Sequence, residues 1–249
     1  MEKSLQLAQI LKRVQQGEDP MKVRYEAREL LATVRLSDVT AAEKYLIESG
    51  ISFDQLRSLV YAFASILGDQ FALLRANLPG SHIIRTILAE HEMFECFLAD
   101  LKDVNEKIQE MSEMGKYCSE YRKLCHIARH LYSMDVHHQR EDNMIFPALK
   151  DQSCYALCRT MQKVHCRIIS AIENLAQLVY CLGALNFEEF KLQLNALVLF
   201  LVPMMREHIF QEDNILYPIA LDAIDDKTWR SIKEMCDETE YCSFDGARV

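Results

Sequence analysis

A chain of 249 residues, half of them hydrophobic, can bury a sizeable core as one large domain or as a core domain with a smaller companion. Its formal charge of −9 and the lack of a long basic run argue against nucleic-acid binding, and the most apolar run, Ala196 to Met205, is too short to span a membrane. Only seven Gly and five Pro, against abundant Leu, Ala, Glu, Gln, Lys and Met, point to an all-α protein.

The chain opens without a signal-peptide pattern, since Met1-Glu2-Lys3-Ser4 leads into an amphipathic helix over residues 4–16. Gly17-Glu18-Asp19-Pro20 stops that helix and starts another, which should run to about Val34. Thr40-Ala41-Ala42-Glu43 has capping-box spacing and opens a helix that ends at Gly50, and Ser52-Phe53-Asp54-Gln55 repeats the device for a helix through about Leu74. The first 76 residues hold no His and no Cys, so they are expected to form a helical interaction module rather than a chemical site. Nine cysteines without a Cys-x-x-Cys pair suggest reduced thiols and a cytoplasmic protein.

Asn77-Leu78-Pro79-Gly80 is the clearest break and sets the expected boundary between a small helical domain, 1–78, and a second domain, 79–225. Four long helices follow, near 81–110, 119–149, 153–182 and 186–223, the last opened by the cap-like Asn186-Phe187-Glu188-Glu189. Short connections between long amphipathic helices predict an antiparallel up-down-up-down four-helix bundle. Pro147 and Pro218 should kink or end the second and fourth helices at corresponding places, and Pro203 should bend the fourth just before His208. Residues 226–249 are expected to add a C-terminal helix to about Glu238 and a polar tail.

One phrase occurs twice. His137-His138-Gln139-Arg140-Glu141-Asp142-Asn143-Met144-Ile145-Phe146-Pro147 aligns without a gap with His208-Ile209-Phe210-Gln211-Glu212-Asp213-Asn214-Ile215-Leu216-Tyr217-Pro218. In each copy His and Glu stand four residues apart, on one helix face, which is how a bundle builds half of a metal site. Folding the four helices back on one another brings His91, His137, Glu141, His165, His208 and Glu212 to one depth. Two carboxylates can bridge two cations, and nitrogen and oxygen donors without a thiolate favour iron or manganese over structural zinc.

Other residues rank lower. His82 could cap the first long helix as readily as bind metal, and it lies nearly opposite His91 on that helix. His138 and Asp142 form a second i, i+4 pair, rotated by one position from the first. Asp142 and Asp213 read as supporting or solvent-facing groups, although a His-x4-Asp frame would put Asp213 in place of Glu212. His126 and His130 lie two or more turns from His137 and read as surface residues.

The doubled His-x-x-x-Glu phrase followed by Leu/Ile-Phe/Tyr-Pro, around a lone His165, resembles the hemerythrin-like, HHE cation-binding family over about residues 80–223. Residues 5–78 resemble a helical domain of unknown function, DUF438, through Leu11 to Pro20 and Glu43 to Leu56. The resemblance implies a non-haem di-iron centre with ligand roles for His137, Glu141, His165, His208 and Glu212, and it matches His91 to the family's first-helix histidine. Oxygen-carrying hemerythrins place two His one turn apart on the third helix, where this chain has His165 and Ile169. The resemblance therefore implies one histidine fewer, and sensing or small-molecule reactivity rather than reversible oxygen carriage. Proteins with this N-terminal domain often read Gly-His-Pro at the bundle entrance, where this chain has Ser81-His82-Ile83.

The expected function is a cytoplasmic di-iron protein, more a binder than an enzyme, that takes O2 or NO and responds to oxygen, redox state or iron supply. Its N-terminal helices would pass the change to a protein partner. The alternatives are a di-iron protein that acts on nitric oxide or peroxide or donates iron for iron–sulfur cluster repair, and a metal-free helical scaffold. The Cys-Cys N-terminal signature of the cluster-repair group is absent.

Overall fold

The computed structural model describes residues 2–31, scattered positions between 33 and 76, and residues 78–238 apart from 116–117 and 151–154. All the regular structure among them is helical. At the N-terminus α1 (Glu2–Gln15) ends at Gly17, whose φ of 96° lies in the left-handed region that glycine adopts without strain. The Asp19 side chain then accepts from the Met21 N–H and Pro20 takes the first position of α2 (Pro20–Glu26). The helix expected through Val34 is broken at Ala27 and ends with the short α3 (Arg28–Leu31). Leu7, Leu11, Val23 and Leu31 share a small core with Ala42 and Leu46. Of the helix expected over 40–50, the described positions 41, 42, 45, 46 and 48 are helical and Gly50 ends it with a left-handed φ of 88°, whereas the helix expected over 52–74 and the tail beyond 238 fall outside the described residues.

The bundle begins with α4 (Ile83–Glu110). The second stretch is divided: α5 (Ser119–Tyr132) stops at Ser133, and α6 (Met134–Arg140) follows. The Ser133 hydroxyl donates to the His130 carbonyl at 2.7 Å, a back-bond that competes with the helix ladder and accounts for the break. A π-turn, π1 (Glu141–Ile145), then leads into α7 (Phe146–Lys150). The third helix is α8 (Tyr155–Tyr180). The fourth, α9 (Phe187–Gln211), starts at Asn186, whose side chain accepts from the Glu189 N–H at 2.8 Å, and Pro203 lies inside it. It passes through π2 (Glu212–Leu216) into α10 (Tyr217–Ala223). Asp225 caps α11 (Asp226–Asp237).

The irregularity expected at Pro147 and Pro218 is thus a wide turn just ahead of each proline. A proline has no N–H and its ring crowds the carbonyl four residues back, here Asn143 and Asn214. The wider i→i+5 pattern places these residues in a ladder where the strict α spacing fails. The Phe146 N–H reaches the Glu141 carbonyl, and the Tyr217 N–H reaches that of Glu212.

Two apolar clusters fix the helix directions. One contains Leu98 and Leu101 of α4, Leu124 and Ile127 of α5, Ile168 and Ile172 of α8, and Leu194 and Leu201 of α9. The other contains Ile84 and Ile87, Ile145 and Phe146, Met161, Leu216 and Tyr217, with Trp229 and Ile232 of α11. Along the four stretches the clusters are met in alternating order, so sequential neighbours run antiparallel. Asp100–Lys123, Glu95–Arg206 and Tyr121 to the Val179 carbonyl tie neighbouring helices. Between the two apolar clusters, at one level on every helix, lies a layer of buried polar residues. Among the described residues no helix is long and apolar enough to cross a membrane.

Candidate metal centre

The layer is formed by Glu90 and His91 of α4, His137, His138 and Arg140 of α6, Glu141 of π1, His165 of α8, His208 of α9 and Glu212 of π2, all buried. Helical spacing explains each placement. In each phrase His and Glu stand four apart, and the π-turn starts at the Glu, so the upstream face is still α-helical when the carboxylate arrives.

Donor atoms converge in two groups, each within 4.8 Å: His138, Glu141, His165 and His208, and His91, His137, Glu141 and Glu212. Glu141 belongs to both. Glu212 also reaches both sides, lying 3.1 Å from His208 Nε2, 3.3 Å from His165 Nε2 and 3.4 Å from His91 Nε2. The Nε2 atoms of His91 and His137 face each other at 3.0 Å. The His138 ring stacks on His165 with centroids 4.1 Å apart, and His208 meets His165 edge-on at 4.7 Å.

A surrounding set of groups holds the imidazoles by their outward nitrogens. Asp213 lies 2.8 Å from His91 Nδ1, Asp142 lies 3.0 Å from His165 Nδ1, and Glu90 lies 2.7 Å from His137 Nδ1. Each partner directs the Nε2 of its imidazole toward the middle, the usual way a carboxylate fixes a ligating histidine. The Tyr217 hydroxyl donates to Glu141 Oε1. Both ring nitrogens of His138 and Nδ1 of His208 have no hydrogen-bond partner, and His208 Nε2, Glu212 Oε2 and Glu141 Oε2 make only ion-pair contacts, at 3.1, 3.4 and 3.5 Å. Buried polar atoms without partners cost roughly 1–3 kcal/mol each, so their concentration here marks a place built for a cation.

The proton affinities divide along the same lines. Burial raises Glu141 to about 8, aided by the neighbouring Glu212 charge. Burial would raise Glu212 too, but the imidazoles of His208, His165 and His91 outweigh it and hold Glu212 well below the usual carboxylate range. His91 and His165 rise to about 10: burial opposes this, and Asp213 with Glu212, or Asp142 with Glu212, overcome it. Burial pushes His137 down to about 4 against the pull of Glu90, and it lowers His138 and His208 as well. His91 and His165 thus hold their protons more tightly than free imidazoles, and Glu141 gives up its proton less readily than an ordinary carboxyl.

The hemerythrin HHE cation binding domain model matches residues 82–220, more than half of the chain. The chain belongs to this family. Residues 7–71 match the family of unknown function DUF438. No curated protein matches the chain.

Within this hemerythrin-like bundle, the six residues ranked first from the sequence all enter the two donor groups. His138, ranked lower, enters them as well. Adjacent on α6, His137 and His138 point 100° apart around the helix and feed different groups, which a single i, i+4 face does not anticipate. The imidazoles of the two donor groups number five with His138 included. Asp142 and Asp213 stand behind His165 and His91. His82 lies outside the layer: its Nδ1 accepts from the Ile84 N–H at 3.3 Å as the cap of α4, and its ring packs on Trp229 at 4.8 Å. Glu90, Arg140 and Tyr217 were missed. The Phe/Tyr alternation in the repeated phrase was the one available signal for Tyr217. His130 and His126 sit two and three turns away from His137, beside Phe97.

Proposed function

We propose that the layer holds two iron ions, one toward His138, His165 and His208 and one toward His91 and His137, with Glu141 and Glu212 shared between them. The observation that carries this is the membership of Glu141 in both donor groups, with Glu212 in contact with histidines of both. Nitrogen and oxygen donors without thiolate suit iron, with manganese the nearest substitute. Iron bound there would supply redox chemistry and a place for O2 or NO. The chain's own groups do the rest. Asp213, Asp142 and Glu90 orient His91, His165 and His137, Tyr217 holds one oxygen of Glu141, and Phe94 and Phe146 pack against His137 and His165 to limit water.

On this proposal the protein is a sensor or binder responsive to oxygen, redox state or iron supply. Metal binds the folded layer and not the unfolded chain, so gain or loss of metal shifts bundle stability. The N-terminal helices, as a separate module over about 1–78, would carry that change to a protein partner; the DUF438 match supports a distinct unit there. The unpartnered buried donors argue against a metal-free scaffold.

Purification without oxygen, followed by measurement of iron, manganese and zinc per chain and admission of air, tests the proposal. Two irons and a reversible change in the oxo-iron charge-transfer bands are expected. Turnover of peroxide or nitric oxide would move the function to an enzyme, and absence of bound metal would overturn both.

A further inference from the structure

We infer that the outer face of α9 pairs, antiparallel, with the same face of a second copy of the chain. The helix is apolar on both sides. Its inner face buries Phe190, Leu194, Val198, Leu201 and Met205 in the bundle. Its outer face carries Glu189, Leu192, Ala196, Leu199, Pro203 and Arg206, all exposed, with Leu192 at 71% and Leu199 at 67%. A one-sided surface helix should be polar on its outer face. The spacings along this stripe, 3, 4, 3, 4 and 3, are those of a two-helix seam, sustained over about 26 Å at 1.5 Å per residue. Phe200, 43% exposed and packed on Arg167, flanks it.

The stripe is complementary to itself in one direction only. Rotated about a two-fold axis between Leu197 and Val198, Leu192 meets Pro203, Ala196 meets Leu199, and Glu189 meets Arg206 of the other copy. Large side chains thus face small ones, and the charges at the two ends face opposite charges. In a parallel pair Glu189 would face Glu189 and Arg206 would face Arg206, and like charges at these end positions select against that register. An isologous contact of this kind closes as a dimer and leaves no open stripe to extend. Arg206 pairs with Glu95 through Nε, at 3.1 Å, which leaves its terminal nitrogens for a second carboxylate. The seam ends two residues before His208, so the dimer helix and the candidate metal layer are consecutive parts of one element.

Light scattering on the full chain after size exclusion, over a range of concentrations, tests this. The native chain should run at dimer mass and Leu199→Glu at monomer mass with unchanged helical circular dichroism. Glu189→Arg should shift the equilibrium toward monomer, and Glu189→Arg with Arg206→Glu should restore the dimer. A native chain that stays monomeric at hundreds of micromolar, or a dimer indifferent to Leu199→Glu, would overturn the inference. So would a double charge reversal that fails to recover from the single one.

Discussion

Arg140 and Glu90 are both buried, and one guanidinium nitrogen lies 2.5 and 2.6 Å from the two oxygens of the carboxylate. The same Glu90 holds His137 by Nδ1, so one side chain both neutralises a buried cation and orients a candidate ligand. Removing one partner of a buried ion pair leaves the other charge uncompensated, a loss of about 3–5 kcal/mol. Glu90→Ala should therefore lower the free energy of unfolding by that amount, read from thermal or denaturant unfolding. It should also weaken metal loading, read by metal analysis of the same preparation. Glu90→Ala with native stability would mean that Arg140 finds another counter-charge.

Glu141 and Glu212 together bring the two donor groups into one site. The double variant Glu141→Ala, Glu212→Ala should bind no dinuclear centre while retaining the helical circular dichroism of a bundle. Intact loading, measured as metal per chain after dialysis, would show that other carboxylates bridge.

His138 distinguishes the two halves. Since it touches the side of His165 and His208 and not that of His91, His138→Ala should weaken one metal position selectively. Titration of the metal-free protein with ferrous iron should then show one tight site and one weakened at least about tenfold, a loss of one coordinate bond's worth of order 1.4 kcal/mol or more. Two unaltered sites would remove His138 from the donor set.

The pH dependence follows from signs alone. Glu141, His91 and His165 have folded values above their ordinary ones, so the folded state holds protons that the unfolded chain has released. Their stabilisation is full below the ordinary values, about 4.5 for the carboxyl and 6.5 for the imidazoles, and is lost as pH rises through about 8 and about 10. His137, lowered to about 4, contributes the opposite slope, but only below its ordinary 6.5. From pH 7 to 9 the metal-free protein should therefore lose thermal stability. The same protons compete with metal, so loading at pH 7 should release protons and tighten as pH rises. Calorimetry in buffers of different ionisation enthalpy measures the release; loading without proton release would contradict these assignments.

Much of the centre was legible because the chain says its phrase twice and because fold-back of four helices aligns residues by arithmetic. His91 and His165 came from that arithmetic, and the cap at Asn186 came from its local chemistry. The rest was hidden for identifiable reasons. Glu90 beside His91 looks like any acid on a helix surface until Arg140 and His137 arrive from another helix. His138 is hidden by the assumption of one face per helix, which a layer reaching across to two cations does not respect. The π-turns are invisible to a 3.6-residue period, although Pro147 and Pro218 mark where it fails. Ser133 divides the second helix by a side-chain bond that no apolar pattern registers.

Each π-turn places one more residue in its loop of helix than an α-turn would hold, at the same point of both phrases. An insertion in a regular helix rotates everything after it by about 100°. Here the extra residue is contained within one loose turn, so Ile145 and Phe146 still meet the apolar cluster beyond it. Each phrase can therefore be viewed as a helix with one inserted residue ahead of its proline, and removal of Asn143 or Asn214 should turn the donor side of that helix relative to the segment beyond the proline. Such a deletion would separate what the bundle needs from what the donors need: helical circular dichroism kept, with Glu141 or Glu212 drawn out of the shared position between the two histidine groups.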